Sequence, residues 1–295
     1  MATTTTTALG DAVAAEIVSA KLVETAYAAI IAAPKLAHDT LSGSLTKSYV
    51  KLTSVTAAAL TEGTDGTTTT LADTQVSGTL AEIGIGVALT DLLQVGSSVP
   101  ELVKQVTRIL GLGYAKKVEA DIFAQVASLT DVVTATGAPL TEDMFLQASY
   151  EIESNDFIGV GQAALLYPKQ AHNLSAAIGG TTENQSAVMQ RMDILSRMGP
   201  ALANGLKYSV YGVDVFISTN VVAINTNADS DGCIIVMGDQ APMVRTCGLL
   251  DGSMWDGRVE LQRDASLRAL EIWMTGAQFV VTHNPDAGCE LVSVR

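Results

Sequence analysis

The sequence predicts an α+β fold organised around one long helix. Three observations predict it. Apolar positions recur at helical spacing from residue 97 to 129, far beyond the ~11–12 residues of an average helix. Two stretches of strand composition, joined by a Thr/Gly-rich tract, precede that run. From about residue 250 onward the chain turns to strands separated by short turns.

The elements follow in order. Residues 9–33 carry Val13, Ile17, Ala20, Tyr27 and Ile31 at helical spacing, and Pro34 ends the run. This apolar face is thin, as in a helix that docks rather than builds a core. SLTKSYVKLTSV and TQVSGTLAEIGIGVAL then read as strands on either side of AALTEGTDGTTTTLAD. A Thr/Gly/Asp tract of that kind has little to bury, so the three segments predict a long hairpin with a mobile tip. A two-stranded ribbon is marginal alone in water and needs a surface to lie on. An ordinary surface loop remains the competing reading.

The long helix opens at Ser98-Val-Pro-Glu101, a capping box with proline in the first turn. Leu102, Val106, Ile109 and Leu110 mark one face, and Val118, Ile122, Val126 and Leu129 a second run. Gly111 and Gly113 interrupt the middle and predict a bend. Thr141 is expected to cap a helix carrying Met144, Phe145, Ala148 and Ile152. AALLY (163–167) reads as a buried strand, Pro168 opens a helix stopped at Gly179-Gly180, and residues 185–198 read as another helix. GLKYSVYGVDVFISTN (205–220) reads as a hairpin folded at Tyr211-Gly212. It pairs Val210 with Val213, Tyr208 with Val215 and Leu206 with Ile217 on one buried face. A left-handed turn is disfavoured for tyrosine, so a type II or longer turn is expected there. NTNADSDG (225–232) reads as a polar loop before the strand CIIVM. RVELQR, LRALEIWMTG, AQFVVTH and CELVSV are the closing strands.

Composition narrows the function. Of 295 residues, 48% are hydrophobic but only 5% aromatic, which suits extended sheets and close helix packing. Charged residues are 16%, fewer than the ~25% of ordinary domains, as on a surface that another subunit covers. The net charge of −14 argues against a phosphate-gripping surface, and the densest basic cluster is Lys116-Lys117. Cys233, Cys247 and Cys289 are odd in number and widely spaced, so three reduced thiols are expected rather than a disulfide framework or a zinc site. MATTTTTALGD has no basic signal-type region, and no apolar run approaches the ~18 residues of a membrane span.

Local catalytic signals are weak. Gly159-Val-Gly161-Gln-Ala-Ala164 matches a dinucleotide fingerprint, but Pro168 leaves no room for the helix that must follow. Asn227, Asp229, Asp231 and Gly232 match four positions of a calcium loop, yet Gly238 stands where the bidentate Glu belongs, so a solvated turn is the simpler reading. His38 and His172 have no carboxylate or second histidine at helical spacing, and His283 has no second histidine there. Asp251-Gly-Ser-Met-Trp-Asp256-Gly reads as a tight structural loop around Trp255. No catalytic, cofactor or metal residue is assigned.

Three segments carry a family resemblance. SVPELVKQVTRILGLGYAKKVEADIFAQV, with Asp121-Ile122-Phe123 near its end, resembles a spine helix. The 205–220 hairpin resembles a late axial-domain run. RDASLRALEIWMTGAQFVVTHNPDAGCELVSV resembles a set of C-terminal strands. Together, and in this order, they resemble the major capsid proteins of tailed bacteriophages, the Hong Kong 97-type capsid fold that encapsulin nanocompartments share.

The resemblance implies an N-terminal arm (1–40), an extended loop (41–92), a peripheral domain with the spine helix (93–135), an axial domain (136–254), and return strands of the peripheral domain (255–295). It implies a protein that self-assembles as hexamers and pentamers into an icosahedral head shell around packaged DNA, without sequence-specific binding and without a membrane. The arm is too short for a scaffolding extension, so a separate scaffolding protein is implied, with a portal protein and a possible decoration protein as further partners. The location implied is the virion capsid, after synthesis in the host cytoplasm. Glu62, Asp65, Asp73, Asp229 and Asp231 are the candidate inter-subunit contacts, and Gly111 and Gly113 the candidate spine bend. An encapsulin-type shell is the alternative, and an α/β enzyme with a non-local active site the remoter one.

Overall fold

The structure is a computed structural model that describes residues 29–52, 73–92, 102–179 and 206–295, apart from 227 and 265, with isolated positions 22, 24, 26, 57, 59, 62, 68 and 70. Strands β1 (Ala37–Leu41), β2 (Thr46–Leu52), β3 (Asp73–Thr79) and β4 (Ala81–Thr90) lead to helix α1 (Leu102–Phe123). Then come β5 (Asp131–Thr134), α2 (Glu142–Ser154), β6 (Gln162–Leu166) and α3 (Pro168–Gly179). The remainder is β7 (Leu206–Val210), β8 (Val213–Ile217), β9 (Ala223–Ile224), β10 (Asp229–Val236), β11 (Met243–Leu250), β12 (Ser253–Met254), β13 (Arg258–Asp264), β14 (Ala269–Thr282) and β15 (Gly288–Val294).

These strands make two large sheets and a ribbon. The six-stranded sheet runs β1-β11-β14-β13, with β4 added to β14 and β12 to β11. The seven-stranded sheet runs β5-β15-β10-β6-β8-β7, with β9 on β10, and β2-β3 form the ribbon. The segments expected from sequence do not divide along the sheets. β11, placed in 136–254, pairs with β14, while β15, placed in 255–295, pairs with β10 and β5.

Helix α1 packs on β4 and β14 through Leu110, Tyr114, Val118 and Ile122, buried at a four-residue spacing. It runs continuously through Gly111 and Gly113. A packing constraint acts at Gly113. A Cβ there would lie 2.8 Å from Ile85 Cδ1 of β4, so any larger residue would push that side chain aside. The helix also ends earlier than expected, and a 3-10 turn at Val126–Ser128 buries Val126 instead. The Ser98–Glu101 cap and the 185–198 helix lie outside the described residues.

Strand β10 is buried along its whole length. Cys233 and Ile235 face the core that holds α1, and Ile234 and Val236 face the core under α2 and α3. A strand covered on both faces needs no alternation, which is why CIIV reads as a continuous apolar run. The cap of α2 is as expected, with the Met144 amide donating to Thr141 Oγ1 at 3.4 Å.

The β7-β8 hairpin pairs Val210 with Val213 and Tyr208 with Val215, as the alternation predicts. An irregularity after Leu206 then sets Leu206 opposite Phe216 rather than Ile217. Tyr211 adopts φ 53° and Gly212 φ 86°, so a primed turn forms despite the tyrosine, whose hydroxyl donates to Glu142. Both faces are covered: Phe216 joins the α1 core, with the Lys35 ammonium 4.2 Å from its ring centroid.

Two buried polar clusters tie α1 to its surroundings. Glu119 is fully buried. Its Oε1 accepts from the amides of Ile31 (2.6 Å) and Ala32 (3.1 Å), and its Oε2 from Ser218 Oγ (2.5 Å) and Asn220 Nδ2 (2.7 Å). Asp256 Oδ1 accepts from Arg245 (2.7 Å) and from the Tyr114 hydroxyl (2.9 Å), while Arg245 Nε donates to Gln278 (2.7 Å). Gln278 in turn donates to Asp121 at 3.1 Å. Among the described residues no helix is long and apolar enough to cross a membrane.

Glu119→Gln replaces an acceptor-only group by one with a single acceptor oxygen, so two of the four donors lose their partner. A loss of about 2–4 kcal/mol is expected in denaturant unfolding of the unassembled subunit. An unchanged midpoint would contradict the anchoring role.

Candidate assembly surfaces

The residues that sequence patterns singled out for chemistry are built into the framework. The run after Gly159 becomes β6 rather than a helix, so the dinucleotide fingerprint has no helix N-terminus to offer. Among the described residues no group of three or more His, Cys, Asp or Glu is arranged to hold a metal ion. The three cysteines are free and buried. Burial pushes the Cys247 thiol up to about 11 and the Cys289 thiol up to about 12, so neither is a nucleophile at neutral pH.

Two expected contact residues lie inside the subunit. Asp229 and Asp231 were expected in an exposed polar loop; they are the first and third residues of β10, exposed by only 1% and 3%. The turn residues Asn225 and Thr226, with φ 50° and 58°, complete the reversal earlier, so the strand starts before its apolar run. Asp229 is a structural acceptor, taking the Gly137 amide at 3.0 Å and Asn225 Nδ2 at 2.6 Å. Asp231 Oδ1 has no partner. Burial first, then the hydrogen bond and charge of Glu290, push the Asp231 carboxyl up to about 8. Of the other candidates, Glu62 is an exposed turn residue, Asp73 is the exposed start of β3, and Asp65 lies outside the described residues.

The ribbon has two unlike faces. Lys47, Tyr49 and Lys51 alternate toward the body of the subunit, while Thr46, Ser48 and Val50 face outward. Lys47 pairs with Asp39, and Lys51 pairs with Asp286. The Tyr49 hydroxyl donates to Asp39 at 2.8 Å and lies 2.6 Å from Thr246 Oγ1. Burial raises the Asp39 carboxyl, but the bonds from Lys47 and Tyr49 outweigh it and hold the group below the usual range. Gly78 sits against Phe279 of β14, where a Cβ would be 2.1 Å from the ring. The stem therefore lies on its own subunit, so the surface expected to support it is not an outside one.

Sequence reading missed Glu119, Arg245 and Asp256. For Glu119 a signal exists: it falls between Ala115, Val118 and Ile122 on the buried helix face, where a charge demands partners. Arg245 and Asp256 meet only through the sheet, and nothing in their spacing announces them.

No protein-family model matches the chain, and no curated protein matches it. Solved structures do. The capsid of Ralstonia phage GP4 superposes with a TM-score of 0.63 at 11% identity, covering 88% of this chain and 87% of that one. A virus-like particle from Pyrococcus furiosus gives 0.59 at 12% identity over 94% and 98%. The SrpI encapsulin complex from Synechococcus elongatus gives 0.55 at 13% identity over 87% and 84%. The fold is that of these shell proteins. It is the α+β, Hong Kong 97-type fold that the order of elements resembles.

Asp231 supplies a pH test of this geometry. Unfolded, the carboxyl ionises near pH 4; folded, it holds its proton to about 8. The folded state binds the extra proton in between, so this position's contribution to stability falls as pH rises through that window. Urea midpoints at pH 5 and pH 8 should fall more for the parent than for Asp231→Asn. Equal slopes would contradict the buried protonated pair.

Proposed function

We propose that the chain is the major capsid protein of a tailed bacteriophage, assembling as hexamers and pentamers into an icosahedral head shell. The observation that carries this reading is the likeness in fold to a phage capsid over nearly all of both chains. The low charge content, the two-faced ribbon and the scarcity of local chemistry agree with it. Its work is mechanical rather than catalytic: many copies, each making modest contacts, close a container whose stability is their sum.

Within that reading, residues 1–40 act as the N-terminal arm, and residues 41–92 as the extended loop, of which the tract between Leu52 and Asp73 meets a neighbour. Residues 93–135, with α1, and 255–295, with β13 and β14, form the peripheral part, and residues 136–254 the axial part. A separate scaffolding protein, a portal protein and a possible decoration protein complete the head, which encloses DNA without reading its sequence. The site of action is the virion, after synthesis in the host cytoplasm. An encapsulin-type shell is the second reading, supported by the likeness to the Synechococcus elongatus encapsulin.

Electron microscopy of the purified protein, alone and with candidate scaffolding proteins encoded beside it, tests the shell reading. Closed particles are expected, and uniform small oligomers under every condition would contradict it. Nuclease-protected DNA in virions carrying the chain separates a phage head from a cargo compartment. Deleting residues 57–70 should leave subunit unfolding within about 0.5 kcal/mol of the parent, because the paired stem is retained. The same deletion should lower the temperature at which shells come apart, and an unfolded subunit would contradict the loop assignment.

A further inference from the structure

The peripheral sheet carries an apolar knob at one end and an apolar groove at the other. The knob is the tip where β4 ends beside the β13-β14 turn. Leu92 and Leu267 stand there 83% and 59% exposed. The described residues of the tip are hydrogen-bonded to one another. Arg263 binds Asp91 through two bonds, at 3.0 and 2.7 Å, and the Asp91 amide donates to the Arg268 carbonyl at 2.9 Å. Asp264 Oδ1 accepts from the amides of Ser266 (2.7 Å) and Leu267 (3.2 Å), fixing the turn that presents the leucine. Leucines held out on a preordered turn cost little entropy on docking. Arg268 adds an exposed guanidinium beside them.

The groove lies where β1 ends, β4 begins and β11 ends. It has a volume of about 600 Å³ and is lined by Leu41, Leu45, Leu80, Leu250 and Trp255, with the exposed Glu82 on its rim. Leu45 is itself 70% exposed. From Glu82 to Thr90 strand β4 spans roughly 26 Å, so a chain cannot fill its own groove with its own tip.

We infer that the Leu92/Leu267 tip of one copy seats in the Leu45/Trp255 groove of the next, with Arg268 facing Glu82. The complementarity is both apolar and electrostatic. In a chain of net charge −14, two copies repel in general, and a contact that brings an arginine to a carboxylate selects this orientation among the others. The contact joins unlike surfaces, so it propagates head to tail and closes only by rotation, as a ring or shell requires. The inference rests on the shell reading and names one of its contacts.

Paired cysteines test it in assembled particles. Leu45→Cys and Leu267→Cys in one chain should give a ladder of disulfide-linked oligomers on oxidation, with neither single variant extending past a dimer. The native thiols are buried and stay silent. Charge reversal gives a second reading. R268E and E82R should each cut particle yield several-fold, and the two together should restore it. Particles that run as monomers after oxidation of the double-cysteine variant, or reversals that add without rescue, would overturn the contact while leaving the shell reading standing. If the parent chain forms no particles at all, both fall together.

Discussion

The close approach of helix α1 to the β4-β14 pair is the constraint on which the rest of the subunit depends. β14 is fourteen residues long and carries β4, β13 and β11 along its edges. Helix and sheet meet closely at positions that have no side chain of their own. A Cβ at Gly276 would lie 2.1 Å from the Tyr114 hydroxyl, and one at Gly113 would press on Ile85. With that contact made, Tyr114 reaches Asp256 and brings Arg245 into a buried ion pair. Such a pair adds little net stability, yet losing one member strands a charge in the interior. It specifies which helix face meets which sheet more than it strengthens the fold.

From that contact the two cores follow. One face of the seven-stranded sheet, through Leu165, Cys233 and Ile235, joins the core that holds α1, while the other joins the core under α2 and α3. Glu119 links the chain entering at Ile31 and Ala32 to the end of β8. The ribbon is placed by the same sheet, because its root rests on Phe279 and its charged face bonds to Asp39 and Asp286. What the body leaves exposed is therefore an ordered set of surfaces: a ribbon face, a sheet tip and a groove at the ribbon's root.

Local patterns were legible where one physical period dominated. The α2 cap, the proline that opens α3, the β7-β8 pairing near its turn and the strand character of the C-terminal third were all readable. The order of elements carried the fold class even though individual motifs were loose. The failures share a cause. Asp229 and Asp231 look like turn residues, and only sheet neighbours on both sides make them strand. The Arg245–Asp256 pair and the parallel pairing of β1 with β11 are long-range and leave no trace in local spacing. Tertiary contact overrode local preference at each of these positions.

The central proposal is that this chain is one tile of a closed shell. Sedimentation velocity of the protein recovered from infected or expressing cells measures that directly. The account predicts a discrete, megadalton-sized boundary that contains this chain as its principal component. A protein that sediments only as a monomer or small oligomer from its native source would contradict it.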